Sequence, residues 1–226
     1  MVHQGYIEPH NATAHWDEDD RIKVWTSTQG AFPVRTSTAA ILDMDVSRIK
    51  VTPLEIGGGF GGKIPVYLEP VVSILSKKSG RPVKAIMERS NVFQASGPAP
   101  GGTITVKMGT DKDANIIAAE TSIKLEAGGF PGAAVGAAVQ CIFAPYDIPN
   151  TRIDGYDIVV NKPKSAAYRA PGSPQAAFAA ETVSDELARI HNMDPIDFRL
   201  QNASKEDTRR ADGVVFPKIG NVEVLE

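Results

Sequence analysis

Residues 48–63 read RIKVTPLEIGGGFGGK. Arg48 to Ile56 has the apolar and polar alternation of a strand, broken by Pro53, and it runs directly into Gly57-Gly58-Gly59-Phe60-Gly61-Gly62-Lys63. Val66 to Lys78 follows with an amphipathic helical pattern, stopped by Gly80-Arg81-Pro82. A glycine loop between a strand and a helix offers unshielded backbone amides, and the positive helix end there favours an anion. Glycine loses more conformational freedom on folding than any other residue. So dense a cluster implies left-handed backbone angles, or a ligand brought within contact distance of the main chain. A flexible turn is the plain alternative. The stretch also fits two known loop patterns. The phosphate-loop pattern runs from Gly57 to Gly62-Lys63, but Ile64 stands where a magnesium-holding hydroxyl is needed. The dinucleotide fingerprint fits at Gly57, Gly59 and Gly62, with Glu88 in the place of the ribose-binding acid. That reading requires further parallel strands alternating with helices, and the downstream sequence offers a hairpin instead.

Upstream, Arg21 to Thr26 reads as a half-buried strand after a polar start, and Thr36 to Leu42 as a short helix. Downstream, Val83 to Glu88 is a strand. Gly101 to Gly109 and Asn115 to Glu126 form an antiparallel pair turned by Thr110 to Ala114. Ala127 to Ala138, rich in glycine and alanine, is compatible with either a loop or a closely packed helix. Arg152 to Val160 is a strand, and a helix of small residues runs to about Ile190. Asp194-Pro195 then opens a last helix, with Asp194 as cap and Pro195 at the position that needs no amide. The tail after Asn202 is polar and is expected to be loose. The pattern predicts an α+β fold, with mixed sheets and packed helices in one domain over residues 1–202 and a polar C-terminal tail or linker over 203–226.

Composition excludes several functions. The 226 residues carry a net charge of -3, with Lys and Arg scattered among acids, which offers no footprint for nucleic acid. Neither a signal peptide nor an apolar run of membrane-spanning length is present, so the chain reads as soluble and cytoplasmic. Cys141 is the only cysteine, so the chain cannot by itself hold a cysteine-ligated iron-sulfur or zinc cluster. His3, His10, His15 and His191 lack ligand spacing, three of them in a stretch read as irregular, and no protein metal ligand is assigned.

Several segments together resemble the molybdenum-binding subunit of the xanthine dehydrogenase, aldehyde oxidase and carbon monoxide dehydrogenase family. They are the glycine loop, Tyr6-Ile7-Glu8-Pro9-His10, Ser27-Thr28-Gln29, Ala167-Tyr168-Arg169-Ala170-Pro171-Gly172-Ser173-Pro174-Gln175, and Met193-Asp194-Pro195 through Phe198-Arg199-Leu200-Gln201-Asn202. Their order and spacing agree with the family over nearly the whole chain. The resemblance implies a first molybdopterin-binding domain carrying a molybdenum-molybdopterin cofactor, the cytosine dinucleotide form being one version. It implies that Gln29 donates to a molybdenum ligand, that Gly58, Gly59, Phe60 and Gly61 approach the cofactor, and that Tyr168, Arg169 and Ala170 lie near the metal and substrate. A guanidinium there would stabilise negative charge; its plain alternative is a structural salt bridge. No catalytic residue is expected in this chain. The base, a glutamate, is expected on a second molybdopterin-binding domain, and iron-sulfur and FAD groups on partner domains or subunits. Homodimerisation through exposed apolar surface is a further expectation, and a cloned domain or a split-gene product would account for the chain. Ala170 replaces the copper-ligating cysteine of carbon monoxide dehydrogenases. Ile64 and Ala137 replace the polar anchors of purine hydroxylases. The resemblance therefore favours an aldehyde or an aromatic or N-heterocyclic substrate, with a non-catalytic cofactor-binding or assembly module as the alternative.

Overall fold

The computed structural model describes residues 2–226. Its contacts divide into two compact units, one formed by the chain up to Ala99 together with Pro163–Arg169, the other by Pro100–Lys162 and Ala170–Glu226. The sheets are mixed and helices pack on them, the α+β arrangement expected.

The first unit carries a sheet in the order β3-β2-β1-β4, made of β1 (Asn11–Trp16), β2 (Ile22–Thr26), β3 (Ile49–Pro53) and β4 (Val83–Ile86). β1 is antiparallel to both neighbours, whereas β2 and β3 run parallel, Val24 opposite Val51. The stretch read as a polar, irregular start is therefore an interior strand holding His15. Its inward residues are only Ala12 and Ala14, too small to give an alternation signal, yet both are buried because the helix carrying Val72 packs over that face of the sheet. Ile22, Val24, Ala39, Ile49 and Val72 complete that core.

Helix α1 spans Ala31–Leu42, starting before the predicted Thr36 because Pro33 falls in the first turn, where a missing amide is harmless. Helix α2 spans Glu69–Ser79, beginning later than predicted, and ends at Gly80 in the left-handed region as expected. A short helix, α3 (Arg89–Ala95), follows β4 and was not foreseen.

In the second unit β5 (Gly102–Thr110) and β6 (Ile116–Gly128) form the predicted antiparallel pair, with Val106 opposite Thr121. β7 (Thr151–Val159) joins β6 in parallel, with Thr121 opposite Ile153. A parallel neighbour needs a crossover, and α4 (Val135–Cys141) lies in it, so the open glycine and alanine stretch resolves into a loop leading into a helix. Helix α5 (Ser173–Ile190) buries Ala176, Ala180, Ser184 and Ala188, small residues four apart that let it lie close to β5 and α4. Helix α6 (Pro195–Asn202) starts as predicted, with Asp194 accepting the Ile196 amide. Asn202 is 5% exposed and joins this helix to the sheet: it accepts from the Ile116 amide at 2.7 Å and donates to the carbonyls of Ala114 and Phe198. Beyond it, Arg209 pairs with Val215, helix α7 covers Asn221–Leu225, and Asn221 donates to the Pro145 carbonyl. No helix among the described residues is long and apolar enough to cross a membrane.

Candidate functional site

Lys63, the residue that completes the loop pattern, points into the first unit, 1% exposed. A buried ammonium is stable only when paired and hydrogen-bonded. Its Nζ donates to Glu8 Oε2 at 2.7 Å and to Ser27 Oγ at 2.9 Å, and it lies 4.9 Å from the centre of the Tyr6 ring. The same Glu8 oxygen accepts from Ser27 Oγ at 2.6 Å and from the Gly57 amide at 2.7 Å, while Asn11 donates to the other carboxylate oxygen. Burial opposes ionisation of Glu8, but the bonds from Lys63, Ser27, Gly57 and Asn11 outweigh it and hold its pKa at about 2. This arrangement removes the phosphate-loop reading, since the lysine that would reach a phosphate is already engaged inside the protein.

The dinucleotide reading fails as well. The sheet has an antiparallel interior strand, and Glu88 caps α3 by accepting one of its first amides. Nor does the loop sit at a helix end. Helix α2 begins only at Glu69, whose own carboxylate accepts from the Tyr67 amide and from Thr26 Oγ1.

Gln29 is exposed, and its carboxamide is fixed by one end. Oε1 accepts from the amides of Gly61 at 2.8 Å and Lys63 at 3.3 Å, while its own amide donates to the Lys63 carbonyl at 3.0 Å. Nε2 has no acceptor among the described residues. The loop amides divide in the same way: those of Gly57, Gly61, Gly62, Lys63 and Ile64 are used by Glu8, Gln29 or the loop itself, and those of Gly58, Gly59 and Phe60 have no acceptor among the described residues. The glycines have reasons internal to the protein. A Cβ on Gly59 would lie 2.5 Å from Gln29 Oε1, and one on Gly61, at φ +94°, would lie 2.7 Å from the Ala167 carbonyl oxygen. The expectation that glycine density reflects ligand approach is thus narrowed to a run of amides left without acceptors.

The arginine loop is tied to this one. Buried Gln4 donates to the Ala167 carbonyl, and the Arg169 amide donates to the Phe60 carbonyl at 2.9 Å. Phe60 at φ +49° and Arg169 at φ +39° are both left-handed without being glycine, as is Ala170 at φ +57°; such strained positions gather at functional sites. The Arg169 side chain is exposed and has no ion pair among the described residues, so the structural salt bridge is not found. Gln29, Gly58, Gly59, Phe60, Gly61, Tyr168 and Arg169 therefore belong to one unit, whereas Ala170, next in the chain, belongs to the other.

His10 is buried, with Nε2 2.8 Å from Tyr6 Oη. Burial, then the nearby charges of Lys63 and Arg89, push its pKa down to about 4, so it is neutral. No group of histidine, cysteine and carboxylate residues among the described residues could hold a metal ion. Glu8, Ser27 and Lys63 were missed as site-building residues. The first two lie inside segments that carry the resemblance, while the sequence pattern around Lys63 points only to a phosphate ligand.

Residues 1–203 match the family model of the molybdopterin cofactor-binding domain. The nicotinate dehydrogenase large molybdopterin subunit of Eubacterium barkeri is 30% identical over 98% of this chain, which spans 53% of that protein. The xanthine dehydrogenase molybdenum-binding subunit of Escherichia coli is 30% identical over 100% of the chain and 31% of its own length. Among solved structures, the aldehyde oxidoreductase from Desulfovibrio gigas superposes with a TM-score of 0.88 at 25% identity, over 97% of this chain and 24% of that one. The chain thus spans about half or less of the proteins it matches.

Proposed function

The chain belongs to the molybdopterin cofactor-binding domain family, which includes molybdenum-binding subunits of xanthine dehydrogenase and aldehyde oxidoreductase, and on that premise we propose that Gln29, Gly58, Gly59, Phe60, Gly61, Tyr168, Arg169 and Ala170 form its share of a molybdenum-molybdopterin site. One observation carries this reading: donors without acceptors among the described residues gather in one unit. They are Gln29 Nε2, the amides of Gly58, Gly59 and Phe60, and the exposed Arg169 guanidinium, which has no ion pair among the described residues. An anionic group rich in acceptor oxygens and sulfurs suits such a set. When bound, it supplies the metal centre at which a substrate is oxidised with oxygen drawn from water.

With the cofactor bound, Gln29 would hold it through its Nε2 donor without adding charge, and the amides of Gly58, Gly59 and Phe60 would offer it further donors. Gly61, whose amide is spent on Gln29, acts by holding that side chain. Arg169 stabilises negative charge on the substrate or the centre. No catalytic base is assigned to this chain, since Glu8, the carboxylate bonded to the loop, is already held by its donors. The base is assigned to a second molybdopterin-binding domain, with residues 1–202 as the first and 203–226 leading toward it. The chain alone is then inactive. Iron-sulfur and FAD partners carry electrons away, the cytosine dinucleotide is one form the pterin can take, the assembly dimerises through exposed apolar surface, and it works in the cytoplasm.

The proposed substrate is an aldehyde or an aromatic or N-heterocyclic compound. Exposed Phe60 and Ile64 give the loop an apolar surface suited to a flat ring, and the Eubacterium barkeri relative is named for nicotinate, an N-heterocycle. The test is co-expression with the second domain and the electron-carrying partners, followed by molybdenum analysis and dye reduction with aldehydes and N-heterocycles. Turnover in the assembly that is lost in Gln29→Ala supports the proposal. Molybdenum retained without turnover of any of these substrates would favour a non-catalytic binding module. Full activity in Gln29→Ala would remove this site.

A further inference from the structure

One carboxylate oxygen, Glu8 Oε2, gathers a donor from each end of the glycine loop and one from the turn that carries Gln29. They are the Gly57 amide at 2.7 Å, Lys63 Nζ at 2.7 Å and Ser27 Oγ at 2.6 Å. Lys63 in turn meets Gln29 through both ends of its peptide. Its amide donates to Gln29 Oε1 at 3.3 Å, and its carbonyl accepts from the Gln29 amide at 3.0 Å and from Thr28 Oγ1 at 3.1 Å. A carboxamide can be turned over with little change of shape, exchanging its donor for its acceptor. In this setting the two loop amides that face Gln29 accept only one of those states.

We propose that Glu8 and Lys63 are positioning residues, whose ion pair, a fully buried ammonium on a partly exposed carboxylate, holds the glycine loop in the one conformation that fixes Gln29 with its Nε2 donor outward. The inference rests on the cofactor-site reading above and deepens it. Such a pair is weak as a source of stability, because the desolvation of the ammonium offsets much of the attraction. It is strongly directional, however, because removing the Glu8 carboxylate leaves the Lys63 ammonium buried and without its counter-charge. Ser27, 3% exposed, and the Tyr6 ring enclose the ammonium, so Lys63 cannot relax toward water when Glu8 is altered. The loop then loses its closure at Gly57 and Lys63 together, and the Gly61 and Lys63 amides no longer select the orientation of Gln29.

The test uses the assembled enzyme with Glu8→Gln, Lys63→Met and the double change Glu8→Met with Lys63→Met, the last removing both charges so that the fold is kept. Val72→Ala, in a separate core cluster of the same unit, serves as the control for general destabilisation. The readouts are amide hydrogen exchange across residues 57–64 and the electron paramagnetic resonance spectrum of the molybdenum centre. Expected in the double variant is exchange faster by about tenfold or more at Gly57, Gly61 and Lys63, with an altered molybdenum spectrum at normal metal content. Val72→Ala, compared at equal thermal destabilisation, is expected to leave both unchanged. Exchange and spectrum matching that control would overturn the proposal. Gln29→Ala separates the two levels: if it leaves the molybdenum spectrum unchanged, the site reading fails, while the exchange data still decide whether Glu8 and Lys63 hold the loop.

Discussion

Alanine at Gly61 and alanine at Gly80 provide a matched comparison within one unit. Both glycines have positive φ, +94° and +63°, but a Cβ on Gly80 meets nothing within 4 Å, whereas on Gly61 it meets the oxygen, carbon and Cβ of Ala167 at 2.7, 2.8 and 2.8 Å. An L-residue with positive φ costs about 1 kcal/mol in either place. Gly80→Ala stops there. Gly61→Ala must also displace main chain, because two of the atoms it meets are the Ala167 carbonyl. That movement strains the Gln4 bond to the same carbonyl and the Arg169 amide bond to Phe60. With each such bond contributing about 1 kcal/mol net, the expected loss for Gly61→Ala is about 3 kcal/mol. For a chain of this length that corresponds to a Tm lower by about 6–12 °C, against about 2–4 °C for Gly80→Ala. Thermal scans and urea titrations of the two variants, side by side, measure the difference. Equal losses would refute the packing of the glycine loop against Ala167 and, with it, the joining of the glycine and arginine loops.

Other outcomes follow from the same contacts. His10 has its pKa lowered to about 4, so the unfolded chain takes up the proton first. Its contribution is complete above about pH 6.5 and is lost as pH falls toward 4, by at most about 3 kcal/mol. His10→Gln should flatten that limb of a Tm-against-pH curve, and an unchanged slope would contradict it. Glu8, lowered to about 2, adds a second loss as pH falls from about 4.5 toward 2, which Glu8→Gln should remove. Asn202→Ala strands the buried Ile116 amide and Ala114 carbonyl and should cost about 2–4 kcal/mol by urea unfolding; a loss below about 1 kcal/mol would mean that Asn202 does not join α6 to the sheet. Arg169→Ala, its side chain exposed and without an ion pair among the described residues, should change stability by less than about 0.5 kcal/mol. It should nevertheless lower turnover in the assembled enzyme, and unaltered turnover would take Arg169 out of the site.

What the sequence determined by itself was whatever acts over a few residues. The alternation in β5 and β6, the left-handed stop at Gly80 and the Asp194-Pro195 start of α6 each follow from backbone geometry and nearest neighbours, and each stands where it was read. The segments around Glu8, Gln29 and Arg169 were legible as a family pattern, without the bonds that join them. Tertiary structure decided the rest. It made β1 an interior strand although its inward residues are only alanines, set β7 parallel to β6, and turned Lys63 inward, away from any phosphate. Whether a lysine faces water or a carboxylate, and which end of a glutamine remains free to donate, depends on partners tens of residues away. Burial makes those partners decisive, because a charge or amide withdrawn from water must find its counterpart inside the protein.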